Sequence, residues 1–549
     1  MANGKKIQLY DTTLRDGCQS EDVSLTVDDK LTIAARLDEF GFDYIEGGWP
    51  GSNERDAAFF TEVRKLKLRH AKIAAFGSTR RANLKASQDR NLELILRAGA
   101  PVATVVGKTW DLHVREALRI SHEHNFEVIH DTIAYLKKHV DEVIFDAEHF
   151  FDGMAANQDF ALKCLSAAAD AGADLICLCD TNGGRLPFEI EEMVRLARAA
   201  VSCPLGIHCH NDSDVAVANT IAAVRAGAVQ IQGTVNGFGE RCGNTNLISA
   251  IANLQLKMGC QCVPQAKLKS LRELSTLVYE LANITPIARQ PYVGRSAFAH
   301  KGGLHVSAIQ RNARTYEHID PALVGNDRRV LLSELAGQSN IVYKAREFGL
   351  DIDPKDDKVS ALLAELKRLE GEGYAFDGAD ASFELVMLRA LGLEREHFRL
   401  VSFRVFDDKW DEDQVPFSEA IVVIDGPDGR RSRNSAIGNG PVNALDSALR
   451  KALVPYYPNL AAMQLSDYKV RVLDNGAGTA ARVRVLIEST DGKRRWGTVG
   501  VSNNVIEASW QALVDSVEYK LHRDHVKPRA QPKGRRAAAG SEGRARTAV

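Results

Sequence analysis

Along the first half of the chain, short runs of apolar and β-branched residues recur at an even spacing, at 7–10, 42–45, 72–76, 102–106, 142–145, 174–178, 205–207 and 229–231. Between them, apolar positions return every three to four residues, as at 28–40, 160–171, 189–200 and 216–226, the period of a helix that buries one face. Three of these helices run into Gly41, Gly172 and Gly227 just before the next run, and glycine is the residue a helix C-terminus favours. Strand and helix alternating eight times predict a parallel sheet, and eight such units close into a (β/α)8 TIM barrel, an α/β fold. An open doubly wound sheet would carry a Gly-rich phosphate turn after its first strand, and the sequence there is DTTLRDG.

The pattern then changes twice. From about 263 to 393 it is helical, with LKSLRELSTLVYELANI and DDKVSALLAELKRLEGEG as amphipathic segments and no strand repeat. From about 396 two similar units follow each other. Asp428-Gly leads to Ser435-Ala-Ile-Gly438 and a helix at 442–453; Asp491-Gly leads to Thr498-Val-Gly500 and a helix at 504–521. Each Asp-Gly lies between β-rich runs and reads as a hairpin turn, so this is a duplicated strand–strand–helix domain. The expected division is a barrel at 1–265, a helical linker at 266–395, an α+β domain at 396–525 and a basic tail at 526–549. The tail, rich in Arg, Gly and Ala and poor in bulky apolar groups, has too little surface to bury and is expected to be disordered.

Composition narrows the class without naming it. A chain of 549 residues, 45% hydrophobic and 26% charged, is an ordinary globular protein of several domains. A net charge of -2 gives no reason to expect a nucleic acid or an anionic membrane as partner. No apolar run approaches the ~20 residues of a membrane span, and the first residues lack the apolar core of a signal peptide. Nine cysteines form no CxxC pair, so a reducing, cytoplasmic setting is expected.

Chemistry in a TIM barrel sits at the carboxyl ends of the strands. Here those ends carry Asp11 to Gln19, Glu46, Asp146 with Glu148 and His149, Asp180 to Asn182, His208 with His210, and Glu240 to Asn244. In LGIHCHND, His208 and His210 share one face of a strand and Cys209 points away. Two imidazoles on one face either share a metal ion or are satisfied core histidines. Asp180 and Asn182 have a second reading as caps of the following helix. His122-x-His124 falls in a polar connection between a helix and a strand, where solvated histidines are the default, and His130 and His305 call for the same bland reading.

Four separated motifs, DTTLRDGCQ, HCHND, GFGERCGN and AHKGGLHVSAI, resemble those of the 2-isopropylmalate, homocitrate and citramalate synthases, metal-dependent Claisen-condensing TIM barrels. The resemblance runs from about Tyr10 to Leu521. FDYIEGGWPGSN, FDAEHFFDG and WGTVGVSNNVIEASWQALVDSVEYKL look closest to the citramalate branch. Cys18 is a departure, standing where relatives carry other residues, often glutamate.

The resemblance implies condensation of acetyl-CoA with pyruvate, in isoleucine biosynthesis. The alternatives are 2-isopropylmalate formation from 2-oxoisovalerate, a lyase of the same barrel class, or an amino-acid-binding scaffold with an inactive barrel. It also implies a divalent ion (Mn, Zn, Co or Mg) held by Asp16, His208, His210 and Asn244, and substrate binding by Arg15, Gln19 and Thr181. Arg15 would stabilise developing oxyanion charge. Glu148 and His300 are both candidates for the base, with Tyr316 assisting. The linker carrying His300 and Tyr316 would reach the barrel mouth of a partner subunit, which implies a homodimer. The C-terminal domain would bind isoleucine as feedback inhibitor.

Overall fold

The computed structural model describes residues 4–330, 338–350, 352–353, 356–409, 415–473 and 480–529. Eight parallel strands close into a barrel in sequence order: β1 (Gln8–Asp11), β2 (Tyr44–Gly48), β3 (Lys72–Ser78), β4 (Val102–Lys108), β5 (Glu142–Glu148), β6 (Leu175–Asp180), β7 (Leu205–Cys209) and β8 (Gln230–Gly233). β8 returns to β1 in register, from Gln8 opposite Gln230 to Asp11 opposite Gly233. The TIM barrel expected from the periodicity is therefore the observed fold.

The strands run further toward their carboxyl ends than the apolar runs mark. Asp11, Glu46, Asp146, Glu148, Asp180 and His208 lie within strands, because backbone pairing continues after the side chains turn polar. Inside the barrel, Tyr10, Tyr44, Ala74, Val102, Ile144, Leu175, Cys177 and Cys179 pack together. Tyr10 stacks on Tyr44 with centroids 5.8 Å apart, and its hydroxyl meets Thr104 Oγ1 at 2.8 Å. Most of the core lies in the layer between strands and outer helices.

Local signals explain the helix ends. Thr26 and Asp29 form a capping box at the start of Val27–Phe40, and that helix stops at Gly41 with φ of 110°. Gly172 and Gly227, at φ of 92° and 125°, stop their helices likewise. The helix after β6, Pro187–Ala200, opens with proline, and the Glu189 carboxylate accepts the Leu186 N–H at 2.9 Å. Asp180 and Asn182 therefore do not cap it; Asn182 Nδ2 donates to Asp152 at 2.8 Å. His122 and His124 are not in a connection either. Ser121 caps the helix His122–Leu136 through the His124 N–H at 3.1 Å, and the His122 ring packs on Phe160 with centroids 4.4 Å apart.

The chain divides into two compact units. The first comprises Met1–Ala299 and Glu317–Arg329. Helix Leu271–Leu281 belongs to it, where Ser275 and Gln290 satisfy Asn236. The second comprises His300–Tyr316 and the described residues from Val330 onward. There helices Asp357–Gly371 and Asp380–Leu391 form one core, with Leu362, Leu366, Phe383 and Met387 buried.

The duplicated domain has one strand more per unit than expected. β9 (Arg399–Asp408), β10 (Phe417–Asp425) and β11 (Arg431–Gly438) precede helix Pro441–Leu453. β12 (Gln464–Val472), β13 (Val483–Thr490) and β14 (Arg495–Ser502) precede helix Val505–Arg523. Both first strands carry a register shift at the same place, between Leu400 and Ser402 and between Leu465 and Asp467. The expected tail begins later than 526. Val526 packs on this core and Arg529 N donates to the Tyr456 carbonyl at 3.0 Å, while 530–549 lie outside the described residues.

Candidate active site

The barrel mouth gathers its groups from different strands. Asp16 sits in the turn after β1, His208 on β7, His210 one residue beyond it, and Asn244 in the loop after β8. One ligand atom from each of Asp16, His208 and His210 lies within 4.8 Å of the others. His208 Nε2 is 3.3 Å from His210 Nε2 and 3.3 Å from Asp16 Oδ2. Asn244 Nδ2 donates to Asp16 Oδ2 at 2.9 Å and lies 3.5 Å from His208 Nε2, while its Oδ1 is buried without a hydrogen-bond partner.

The donor set fits a divalent cation. Behind His208, Gln232 gives its amide N–H to Asp146 at 3.2 Å and offers Oε1 to His208 Nδ1 at 3.2 Å. With Nδ1 held by Gln232, the Nε2 edge is the one turned toward the cluster, the orientation a metal-binding histidine needs. Burial, reinforced by His208, pushes His210 down to about 3, so it is a neutral imidazole at physiological pH. Burial opposes ionisation of Asp16, but Arg15 and His208 outweigh it and hold this carboxyl well below its ordinary range. Turning the Asn244 amide over would bring its orphaned Oδ1 onto the same point, giving a fourth oxygen or nitrogen donor.

Arg15 is locked in place. Its Nε donates to Glu46 Oε1 at 2.9 Å and Nη2 to Oε2 at 3.2 Å, Nη1 is 3.5 Å from Asp16, and the guanidinium lies 3.9 Å above the Phe76 ring. Glu46 is wholly buried, so the fork-to-fork pair is what makes its charge tolerable. A second buried carboxyl, Asp146, is pushed up to about 7 by burial and by the charge of Glu46.

A cavity of about 220 Å3 opens here, lined by Arg15, Asp16, Gln19, Glu148, Thr181, His208 and His210 among others. Glu148 pairs with Lys108 across β4 and β5. Thr181 Oγ1 accepts the His149 N–H at 2.9 Å, and His149 is held at φ of 56°, a left-handed conformation that costs a non-glycine residue energy. His149 Nδ1 is in turn 3.0 Å from Asp152.

His300 and Tyr316 belong to the second unit, where Tyr316 is 48% exposed and stacks on His305 with centroids 4.1 Å apart. Trp49, Phe76, Val106 and Cys179 also line the barrel cavity, without having been singled out from the sequence. Their one signal is position: each lies in or just after the carboxyl half of a strand. A second cluster, Asp146 with Cys177 and Cys179, also meets metal-ligand spacing, deeper inside the barrel.

Comparison with known families places this geometry. Residues 6–278 match the HMGL-like family, 292–373 the homocitrate synthase post-HMGL domain, and 377–521 the LeuA allosteric (dimerisation) domain. The class is thus an HMGL-like barrel joined to a LeuA-type allosteric domain. Among curated proteins, the (R)-citramalate synthase of Geobacter sulfurreducens is 59% identical, covering 94% of this chain and 98% of that one. That of Aquifex aeolicus is 54% identical, covering 95% and 98%. A 2-isopropylmalate synthase of Methanocaldococcus jannaschii is 30% identical, covering 93% and 94%. The chain belongs to the (R)-citramalate synthase family.

Proposed function

We propose that this chain joins the methyl carbon of acetyl-CoA to the keto carbon of pyruvate and, with water cleaving the thioester, yields (R)-citramalate and free CoA. The observation that carries this reading is the small cavity in which a fixed Arg15 stands beside the Asp16, His208 and His210 cluster. The 2-isopropylmalate alternative rests on more distant relatives alone.

A divalent ion at Asp16, His208, His210 and Asn244 would supply a Lewis acid; Mn, Zn, Co and Mg all suit oxygen and imidazole donors. Arg15 supplies a positive charge that needs no reorganisation as the keto oxygen gains negative charge. Because the Thr181 oxygen already accepts the His149 N–H, its own proton is free to donate to a substrate carboxylate. Gln19, exposed at the cavity rim, offers a second amide donor. Loss of a proton from the thioester methyl is assigned to Glu148, one of the carboxylates lining this cavity, with His300 as the second candidate and Tyr316 as its helper. A homodimer accords with the LeuA-type domain, and isoleucine is the effector we assign to that domain. The setting we assign is the cytoplasm; among the described residues no helix is long and apolar enough to cross a membrane.

The test is CoA release, read with a thiol reagent, from acetyl-CoA with pyruvate, 2-oxoisovalerate or 2-oxoglutarate. Release with pyruvate, abolished by a chelator, is the expected result. Release mainly with 2-oxoisovalerate moves the assignment to 2-isopropylmalate, and no release from folded, metal-loaded protein overturns it. Removing residues after Glu396 is expected to abolish isoleucine inhibition; unchanged inhibition in a truncated, active enzyme refutes the effector assignment.

A further inference from the structure

The barrel mouth is partitioned by strand. The turn after β1, together with β7 and the loop after β8, carries Arg15, Asp16, His208, His210 and Asn244, while β5 and the residue after β6 carry Asp146, Glu148 and Thr181. The neighbouring strands β2, β3 and β4 supply Trp49, Phe76 and Val106, which form an apolar wall on one side of the same cavity. A 2-oxo acid has two polar groups, carboxylate and keto oxygen, and one apolar substituent. The polar groups find partners on the first two arcs, so the substituent is left to the third.

That wall is rigid. Trp49 N donates to Asp56 Oδ2 at 2.8 Å and its indole Nε1 to Asn91 Oδ1 at 2.7 Å. Asp56 is itself pinned by buried Lys30 at 2.6 Å, and it lies where a Cβ on Gly48, at φ of 145°, would stand. The Trp49 ring meets Phe76 edge-on, centroids 5.5 Å apart, and Phe76 is clamped beneath Arg15. A pinned indole cannot swing aside for a larger substituent.

We propose that Trp49 is the specificity-determining residue that limits the 2-oxo acid to a methyl-sized side chain. This rests on the condensation reading above. Discrimination of a methylene or two by packing is worth about 10- to 200-fold. The test compares kcat/KM for pyruvate, 2-oxobutyrate and 2-oxoisovalerate, with acetyl-CoA, in the wild type, Trp49→Leu and Trp49→Phe. Melting temperature and bound manganese report whether each variant is folded.

Trp49→Leu is expected to raise the 2-oxoisovalerate-to-pyruvate ratio at least about tenfold. Trp49→Phe, which keeps a ring on Phe76 and loses the bond to Asn91, should shift it in the same direction by less. A merely structural role would lower all three substrates together, so an unchanged ratio in a folded variant overturns the inference. If Trp49→Leu does not fold, Trp49→Phe decides. A wild type that releases CoA with none of the acids removes the condensation reading, and this inference falls with it.

Discussion

The barrel mouth and the C-terminal domain both bury charge, and they do it in opposite ways. In the second unit unlike groups pair. Lys520 lies 2.9 Å from Asp491 and 3.0 Å from Asp524, Arg523 is 2.6 Å from Glu384, His397 meets Glu518 at 2.5 Å, and Asp515 is bonded by Ser382 and Arg389. At the mouth like groups converge. Beside the Arg15–Glu46 pair, two imidazole nitrogens face each other at 3.3 Å, the Asp16 carboxylate lies 3.3 Å from one of them, and Asp146 is pushed up to about 7, chiefly by burial. Pairs of opposite charge satisfy themselves and need nothing further. Lone-pair donors aimed at one point are unfavourable without a cation between them, and this is why we propose the second arrangement as a site and the first as scaffold.

The contrast breaks most sharply at the imidazoles. His208→Ala with His210→Ala is expected to remove bound metal and CoA release together, while circular dichroism shows the barrel retained; activity surviving the double change would make these core histidines. Arg15→Gln comes next. It removes the fixed charge and leaves Glu46 buried without its partner, so kcat should fall about 10²- to 10³-fold, measured in steady state against acetyl-CoA and pyruvate. In the second unit Lys520→Met removes the buried ammonium shared by Asp491 and Asp524, while Asp491 keeps the Lys493 and Arg494 N–H donors, so the cost is that of lost charged hydrogen bonds, about 1.5–3 kcal/mol. Hydrogen exchange in helix Val505–Arg523 should speed accordingly, with barrel metal content unchanged.

The last expected effect concerns pH and is spread over several units. Asp11 is raised from 3.8 to about 7 by burial, with Thr13 bonds opposing. The folded state therefore holds this proton more tightly than the unfolded chain. Stability from this group is full below about pH 4 and is lost as pH rises toward 7, at roughly 1.4 kcal/mol for each pH unit crossed. Asp11→Asn should flatten that slope, read from urea unfolding at pH 5 and pH 7.5. An unchanged slope would mean Asp11 is already ionised when folded.

Much of this was legible in the sequence, for identifiable reasons. Short continuous apolar runs and period-3.6 patterns mark the barrel because its strands are buried on both faces and its helices on one. His208 and His210 read as a pair because strand alternation puts them on one face. The first strand of each duplicated unit was not legible. β9 and β12 mix apolar with charged residues and are largely exposed, so neither gives a clean apolar run or a clean alternation. Trp49 stood inside the quoted FDYIEGGWPGSN, but its place in the site was not legible because it joins Phe76 and Val106 only through the adjacency of β2, β3 and β4, which spacing along the chain does not contain.

We propose that the mouth groups converge on a cation. The most direct measurement is calorimetric titration of chelator-stripped protein with Mn2+, in the wild type and in His208→Ala/His210→Ala. One ion per chain is expected in the wild type, with loss of that binding in the variant. No binding to folded wild type, or equal binding to both, would contradict it.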